Sequence, residues 1–295
     1  MNLYSQAESN VKKTWVYLLG FFLLVIILGW AVSYFMQSPG ILWTAVVLSI
    51  TMSLGSYWFS DKVVLSINRA QVIQKKDNPE LYRVVENLAI TAGLPMPKVA
   101  IIKDAQPNAF ATGRDAKHAV VAVTTGLLEK LERVELEGVL AHELSHIGNR
   151  DMLISTIAVV LVGFVVLLAD FFFRASLFRG SRDRQQGGIA IIIGLVLMII
   201  APIVAQLLKL AISRKREFLA DATGALLTRY PEGLAKALEK ISQDANPLKT
   251  ANDATAHLYL VNPFKGKEGV TWIHKLFMTH PPVQDRIKIL RGMKV

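Results

Sequence analysis

The sequence predicts a mainly α membrane protein, with four transmembrane helices in two hairpins and a small α+β domain. Three observations predict it. Hydrophobic residues make up 52% of the 295-residue chain, and mean hydropathy is positive. Four long stretches carry no charge. Between and after them lie polar blocks in which short apolar patterns follow helical or strand periods.

The uncharged stretches come in order. Trp15–Phe35 runs for 21 residues, Ile41–Phe59 for 19, Leu153–Ala169 for 17 and Gly187–Leu208 for 22. A helix crossing the hydrocarbon core needs about 20 apolar residues. The first, second and fourth qualify directly; the third qualifies if Asp170 lies at the far interface. Four buried core helices of this kind are not expected in one soluble chain of this length. The first stretch follows Lys12 and Lys13 and is longer than a signal-peptide core, so an uncleaved anchor is expected. Gln37-Ser38-Pro39-Gly40 forms the turn between spans one and two.

Lys12, Lys13, Lys62, Arg69, Lys75 and Lys76 flank the first hairpin on one side. If all four segments cross, Arg150, Arg214, Lys215 and Arg216 fall on that side too. The excess of basic residues places both termini in the cytoplasm. Arg174, Arg179, Arg182 and Arg184 in the loop of the second hairpin oppose it, which leaves open a hairpin that enters the membrane only in part. The net charge of +10 matches flanking charge against anionic lipid. No basic run with interleaved aromatics points to nucleic acid. Zero cysteines excludes disulfides, thiolate ligands and a cysteine nucleophile.

These boundaries divide the chain into a transmembrane hairpin (1–60), a first catalytic segment (61–150), a second hairpin (151–212) and a second catalytic segment (213–295). Asn78-Pro79-Glu80 opens a helix with Leu81, Val84, Val85 and Leu88 on one face, closed at Gly93-Leu94-Pro95. Lys98–Lys103, Ala109–Thr112 and Ala119–Thr124 read as strands. Further helices are expected over Thr125–Leu131, Glu132–Asn149, Lys215–Leu227, Pro231–Ser242 and Pro282–Arg291, with a loop-rich stretch from Asn246 to Gly269.

The Glu132–Asn149 helix carries His142-Glu143-Leu144-Ser145-His146. Residues four apart share a helix face, so both imidazoles can reach one metal ion, with Glu143 one step round. This is the zinc-peptidase pattern, two histidine ligands and a glutamate base. Two ordinary histidines on an apolar helix are the plainer alternative, but burying them without a use is costly. A third ligand is needed. The residue six after His146 is Met152, so a third histidine at that spacing is absent. Glu217 is the best candidate, with Asp221 four residues on to accept a hydrogen bond from the far nitrogen of a ligand histidine. Taken singly, each competes evenly with a plain surface charge or salt bridge. Topology decides. Two spans separate His142 from Glu217, which returns them to one side. His146 lies seven residues before Leu153 and Glu217 nine after Leu208. At about 1.5 Å per residue both lie on the order of 10–15 Å from the bilayer core.

The combination of Pro107–Gly113 (P-N-A-F-A-T-G), His142–His146, Ser213–Asp221, and Thr279-His280-Pro281-Pro282 with Arg286 resembles the HtpX family. These are bacterial membrane zinc proteases related to the CAAX prenyl proteases. The resemblance covers nearly the whole chain. It implies a gluzincin-like catalytic domain with one Zn²⁺ per subunit, in the bacterial inner (cytoplasmic) membrane, its site facing the cytoplasm. It further implies endoproteolysis of misfolded or damaged membrane proteins, with unfolded or membrane-protein substrates, the lipid bilayer and membrane quality-control factors as partners. Asn108, Ala109, Phe110 and Ala111 would form the edge strand that holds substrate as an added β-strand. His280 and Arg286 would lie near the metal, stabilising the oxyanion or supporting the site. A selective protease cutting near membrane anchors, or a non-catalytic zinc-binding scaffold, are the alternatives; the glutamate at 143 argues against the scaffold, since holding zinc does not need it.

Overall fold

The computed structural model describes residues 3–35, 37–157, 214–244, 260 and 281–293. Helix α1 (Leu3–Phe35) and helix α2 (Pro39–Ile67) form an antiparallel hairpin. The turn is closed by Ser38 N donating to Ser33 O and Ser33 Oγ to Ser38 O, with Pro39 pre-set at the start of α2. Trp15 stacks on Tyr57 at 5.9 Å, so the far ends of the two helices also meet. Leu18, Phe21 and Val25 face inward, with Ser49, Ser56 and Ser60 of α2 buried as well. Trp15, Leu19, Leu23, Ile27 and Trp30, at helical spacing, point outward and are exposed. Small hydroxyl residues inside and large apolar ones outside is the distribution of a helix pair in lipid. Among the described residues one stretch, Leu42–Ile67, is long and apolar enough to cross a membrane. Of the expected third span only 153–157 is described, and it is helical and largely buried; the rest of it and the fourth span lie outside the described residues.

Both helices exceed the uncharged runs that predict them. α1 includes the polar stretch before Trp15. α2 continues past Phe59, and its last turns enter the sheet. Val64, fully buried, packs under Ala100, Ile102, Phe110, Val120 and Ala122. The chain then reverses at Arg69 (φ 50°), where Asn68 Nδ2 holds Val64 O at 2.8 Å.

The sheet has the order β1-β2-β4-β3. Strand β1 (Gln71–Ile73) pairs antiparallel with β2 (Lys98–Ile102), β2 pairs parallel with β4 (Val120–Thr124), and β3 (Ala109–Thr112) pairs antiparallel with β4, Phe110 opposite Ala122. β1 is absent from the sequence expectation because three residues, two of them exposed, carry no readable period. Val99, Ala109, Ala111, Val121 and Val123 face the side opposite Phe110 and join the main core. Covered on both faces, the strands read as unbroken apolar runs.

The main core lies between the sheet and the helices. Helix α3 (Pro79–Thr91) starts at Asn78, whose side chain accepts from Leu81 N, and buries the face predicted for it. Short α4 (Thr125–Lys130) is capped by Thr124. Helix α5 (Arg133–Gly148) is the centre of the domain, with 11 of its 16 residues buried. The surrounding helices are α6 (Arg214–Thr228), α7 (Pro231–Gln243) and α8 (Val283–Arg291). Glu135 anchors the start of α5, accepting from Glu132 N and from Lys240 Nζ of α7.

Two glycines set how close the neighbours come. A Cβ on Gly138 would lie 2.6 Å from Leu234 N of α7, and one on Gly224 of α6 would lie 3.0 Å from His142 N. Backbone therefore packs on backbone at both crossings. Gly138→Ala should destabilise the domain by about 1–3 kcal/mol, an overpacking cost. Gly55→Ala, whose Cβ meets nothing within 4 Å, should not. Thermal unfolding in detergent compares them; equal midpoints would contradict the close crossing.

Candidate active site

His142 and His146 lie one turn apart on α5 and aim their Nε2 atoms at one point, 3.2 Å from each other. The rings meet nearly perpendicular, at 89°. α6 brings Glu217 to the same point. Its Oε1 is 3.5 Å from His146 Nε2 and its Oε2 3.9 Å from His142 Nε2. Ligand atoms on a tetrahedral zinc at about 2.0–2.2 Å stand roughly 3.3–3.5 Å apart. The three groups, whose ligand atoms all lie within 4.8 Å of one another, therefore fit the edges of such a site. Glu143 is buried beside them and contributes to the fields at His146 and Arg286.

Each imidazole is held from behind. His142 Nδ1 is 2.9 Å from Asp221 Oδ1. Asp221 lies one turn after Glu217 on α6, and Gly224, three residues further on, lets that face press against His142. Arg286 of α8, wholly buried, grips Asp221 with both ends of its guanidinium: Nε to Oδ2 at 2.8 Å and Nη2 to Oδ1 at 2.6 Å. Its Nη1 lies 3.8 Å from Glu217 Oε2 and donates to Leu260 O. Arg286 thus lies at the site, in contact with Asp221 and 3.4 Å from the His142 ring nitrogens. His280 lies outside the described residues.

His146 Nδ1 faces Asp151 Oδ2 at 3.3 Å, and Asp151 Oδ1 receives Arg216 Nη1, also at 3.3 Å. Neither residue stands out in the sequence. In a continuous helix, a residue five positions on lies about 140° round from His146. Here α5 stops at Gly148, Arg150 takes the left-handed conformation (φ 55°), and a new helical segment starts at 151. That break turns Asp151 back towards the imidazole. Arg216, expected as a flanking surface charge, is buried. The available signal was a carboxylate left between Arg150 and a long apolar run.

Among the described residues β3 is an edge strand of the sheet, the position expected for Asn108–Ala111. Asn108 O turns inward to accept from Thr124 N, so Ala109 O turns outward, where it accepts from Leu260 N at 3.3 Å. The Phe110 ring points to the opposite face and fills the core above Val64; only its backbone belongs to the edge. Thr112 Oγ1 lies 3.0 Å from Thr156 Oγ1, and Arg114 lies over the Trp58 ring at 4.4 Å. The strand is thus tied at its end to both membrane-proximal elements. His118 pairs with Asp115 at the surface, away from the metal ligands.

A sequence model of peptidase family M48 matches residues 75–294. The chain belongs to that family. A protease HtpX homolog of Dictyoglomus thermophilum is 45% identical over 291 residues, covering 98% of this chain and 94% of its own. One from Pyrococcus furiosus is 50% identical over 262 residues, covering 88% and 89%. A crystal structure of Ste24p from S. mikatae aligns over 97% of this chain and 67% of that one, at 18% identity and a TM-score of 0.49. The family match and the identity to these HtpX homologs bear out the HtpX resemblance in the motifs: this is an M48 membrane metalloprotease.

The electrostatics of the M48 site follow from burial against charge. Burial works against a proton on His146, but Asp151, Glu217 and Glu143 outweigh it and raise its pKa from 6.5 to about 9. Burial also disfavours the Asp221 carboxylate, yet Arg286 and His142 hold its pKa down at about 2. Opposed by the same burial, the Arg286 guanidinium is kept charged by Asp221, Glu217 and Glu143. In the metal-free protein the proton on His146 stabilises the fold fully below 6.5, and that contribution is lost as pH rises through about 9. Asp221 contributes above 3.8, and its contribution is lost as pH falls through about 2. Zinc must displace the His146 proton. At about pH 7.5 uptake should release about one proton from this group, with affinity rising up to pH 9. Calorimetry in buffers of differing ionisation enthalpy measures it; a pH-independent affinity would contradict the assignment.

Proposed function

We propose that this M48 protein is a zinc endopeptidase that degrades misfolded or damaged membrane proteins at the cytoplasmic face of the inner membrane. The convergence of His142, His146 and Glu217 on one point, with Glu143 buried beside them, carries the reading. When bound there, zinc supplies Lewis-acid polarisation of the scissile carbonyl and of the attacking water. Glu143 takes the proton from that water and delivers it to the leaving amine. The β3 edge offers Ala109 O to the backbone of an extended substrate, which exchanges for the bond now made by Leu260 N. Asp221 and Arg286 keep His142 in the tautomer that presents Nε2 to the metal. An added strand needs an unfolded segment, and this favours damaged chains over folded ones.

The membrane side of the proposal rests on basic flanks and parity. The basic flank of Lys12, Lys13, Lys62, Arg69, Lys75 and Lys76 supports a site on the cytoplasmic side. An even number of crossings between His142 and Glu217 is compatible with their meeting on one side. The chain has no cysteine, so single cysteines can be labelled without background. One at Ser38 should react with an impermeant reagent from outside. One at Ser181 should do the same if the second hairpin spans, and only from inside if it is re-entrant.

Glu143→Gln should keep zinc and lose at least about 10²-fold in cleavage of an unfolded substrate. Glu217→Gln should lose zinc itself. The test is a metal titration and a digest on the same preparations. Near-normal cleavage by Glu143→Gln sinks the mechanism; a single cleavage site across many substrates favours selective processing near a membrane anchor.

A further inference from the structure

We infer that Asp151 and Arg216 form a second positioning pair for the metal site, acting on His146 as Asp221 and Arg286 act on His142. The inference deepens the zinc-peptidase reading and rests on it. Both pairs have the same construction. A carboxylate faces the imidazole nitrogen that points away from the metal position: Asp221 Oδ1 at 2.9 Å from His142, Asp151 Oδ2 at 3.3 Å from His146. The second oxygen of each carboxylate is held by an arginine from a different element: Arg286 Nε at 2.8 Å, Arg216 Nη1 at 3.3 Å.

The need for such support is greater at His146. The His142 side chain is 1% exposed and locked by packing, whereas that of His146 is 16% exposed. Packing alone leaves this ring more room to rotate. A charged acceptor on Nδ1 fixes the ring plane and places the proton on Nδ1, leaving Nε2 free for zinc. Arg216, one residue before Glu217, holds the other oxygen of the Asp151 carboxylate and so directs it. Arg216 and Glu217 thus leave α6 together, one to a ligand's support and the other to the metal position.

The backbone supports the assignment. A non-glycine residue in the left-handed region is uncommon and costs energy. Arg150 adopts it directly before Asp151, and the break it makes aims the carboxylate at His146. The pair also spans a long stretch of sequence. Asp151 stands just before the uncharged run that starts at Leu153, and Arg216 follows the run that ends at Leu208. The metal geometry therefore depends on a contact between residues 65 apart in sequence.

The test is zinc affinity, measured by chelator competition on the full-length protein in detergent. Asp151→Ala should weaken zinc about 10–100-fold. Asp151→Asn, which keeps a neutral acceptor, should recover part of the loss. Arg216→Met should weaken zinc several-fold. Because Arg216 acts through Asp151, the double variant Asp151→Ala/Arg216→Met should bind no more weakly than Asp151→Ala alone. Melting of the metal-free forms reports folding separately, and if Asp151→Ala does not fold, Asp151→Asn and Arg216→Met carry the test. Wild-type zinc affinity in folded Asp151 variants overturns the inference. Additive losses in the double variant overturn the link through Arg216. Glu217→Gln serves as reference: if it binds zinc as wild type does, the zinc-site reading itself has failed. If it loses zinc while the Asp151 variants do not, only this inference has failed.

Discussion

Two imidazole nitrogens held 3.2 Å apart, on a helix buried nearly all round, are the constraint from which the rest of the domain follows. Metal-free, such a pair is unfavourable unless a proton or another cation lies between or beside the rings. Orienting them requires acceptors behind each ring, and those acceptors are carboxylates that must themselves be neutralised. Removing charge from water is expensive, and burying ion pairs is weak evidence for stability. The cost is met here by packing around them. Gly138 and Gly224 let α7 and α6 contact the backbone of α5, which seals the polar centre within an apolar shell.

The site is therefore a layered arrangement. Ligands touch the metal position, carboxylates touch ligands, and guanidinium groups touch carboxylates. Arg286 is the deepest member, joining α8 to α6 and, through Leu260, to the β3 edge. The residues around the metal position and the β3 edge thus share one hydrogen-bonded frame. A shift of α8 would be felt at Asp221 and at the strand together.

Much of this was legible in the sequence, for identifiable reasons. His142, His146, Glu217 and Asp221 could be read because helical spacing is rigid: positions four apart share a face wherever the helix lies. The face of α3 and three of the four strands followed from apolar periods and caps. Asp151 could not be read, because its place depends on one left-handed residue that no local pattern marks. Arg216 was hidden among Arg214 and Lys215, since composition does not distinguish a buried guanidinium from an exposed one. Where the Phe110 ring points could not be read, because strand alternation sends it beneath the sheet only once β3 pairs with β4 in the observed register. Strand order is a tertiary property, and nothing local encodes it.

The continuity of α2 has a mechanical consequence. The helix enters the sheet without a hinge: Val64 is locked beneath Phe110, and Arg114 rides on Trp58 one and a half turns earlier. A rigid rod shared by a lipid-facing hairpin and a strand transmits angle. Helices too long for a bilayer tilt to fit it. Here any such tilt would rotate the β3 edge with it, as a pointer turns with its shaft. The thickness of the surrounding lipid would thereby bear on the direction in which the β3 edge faces.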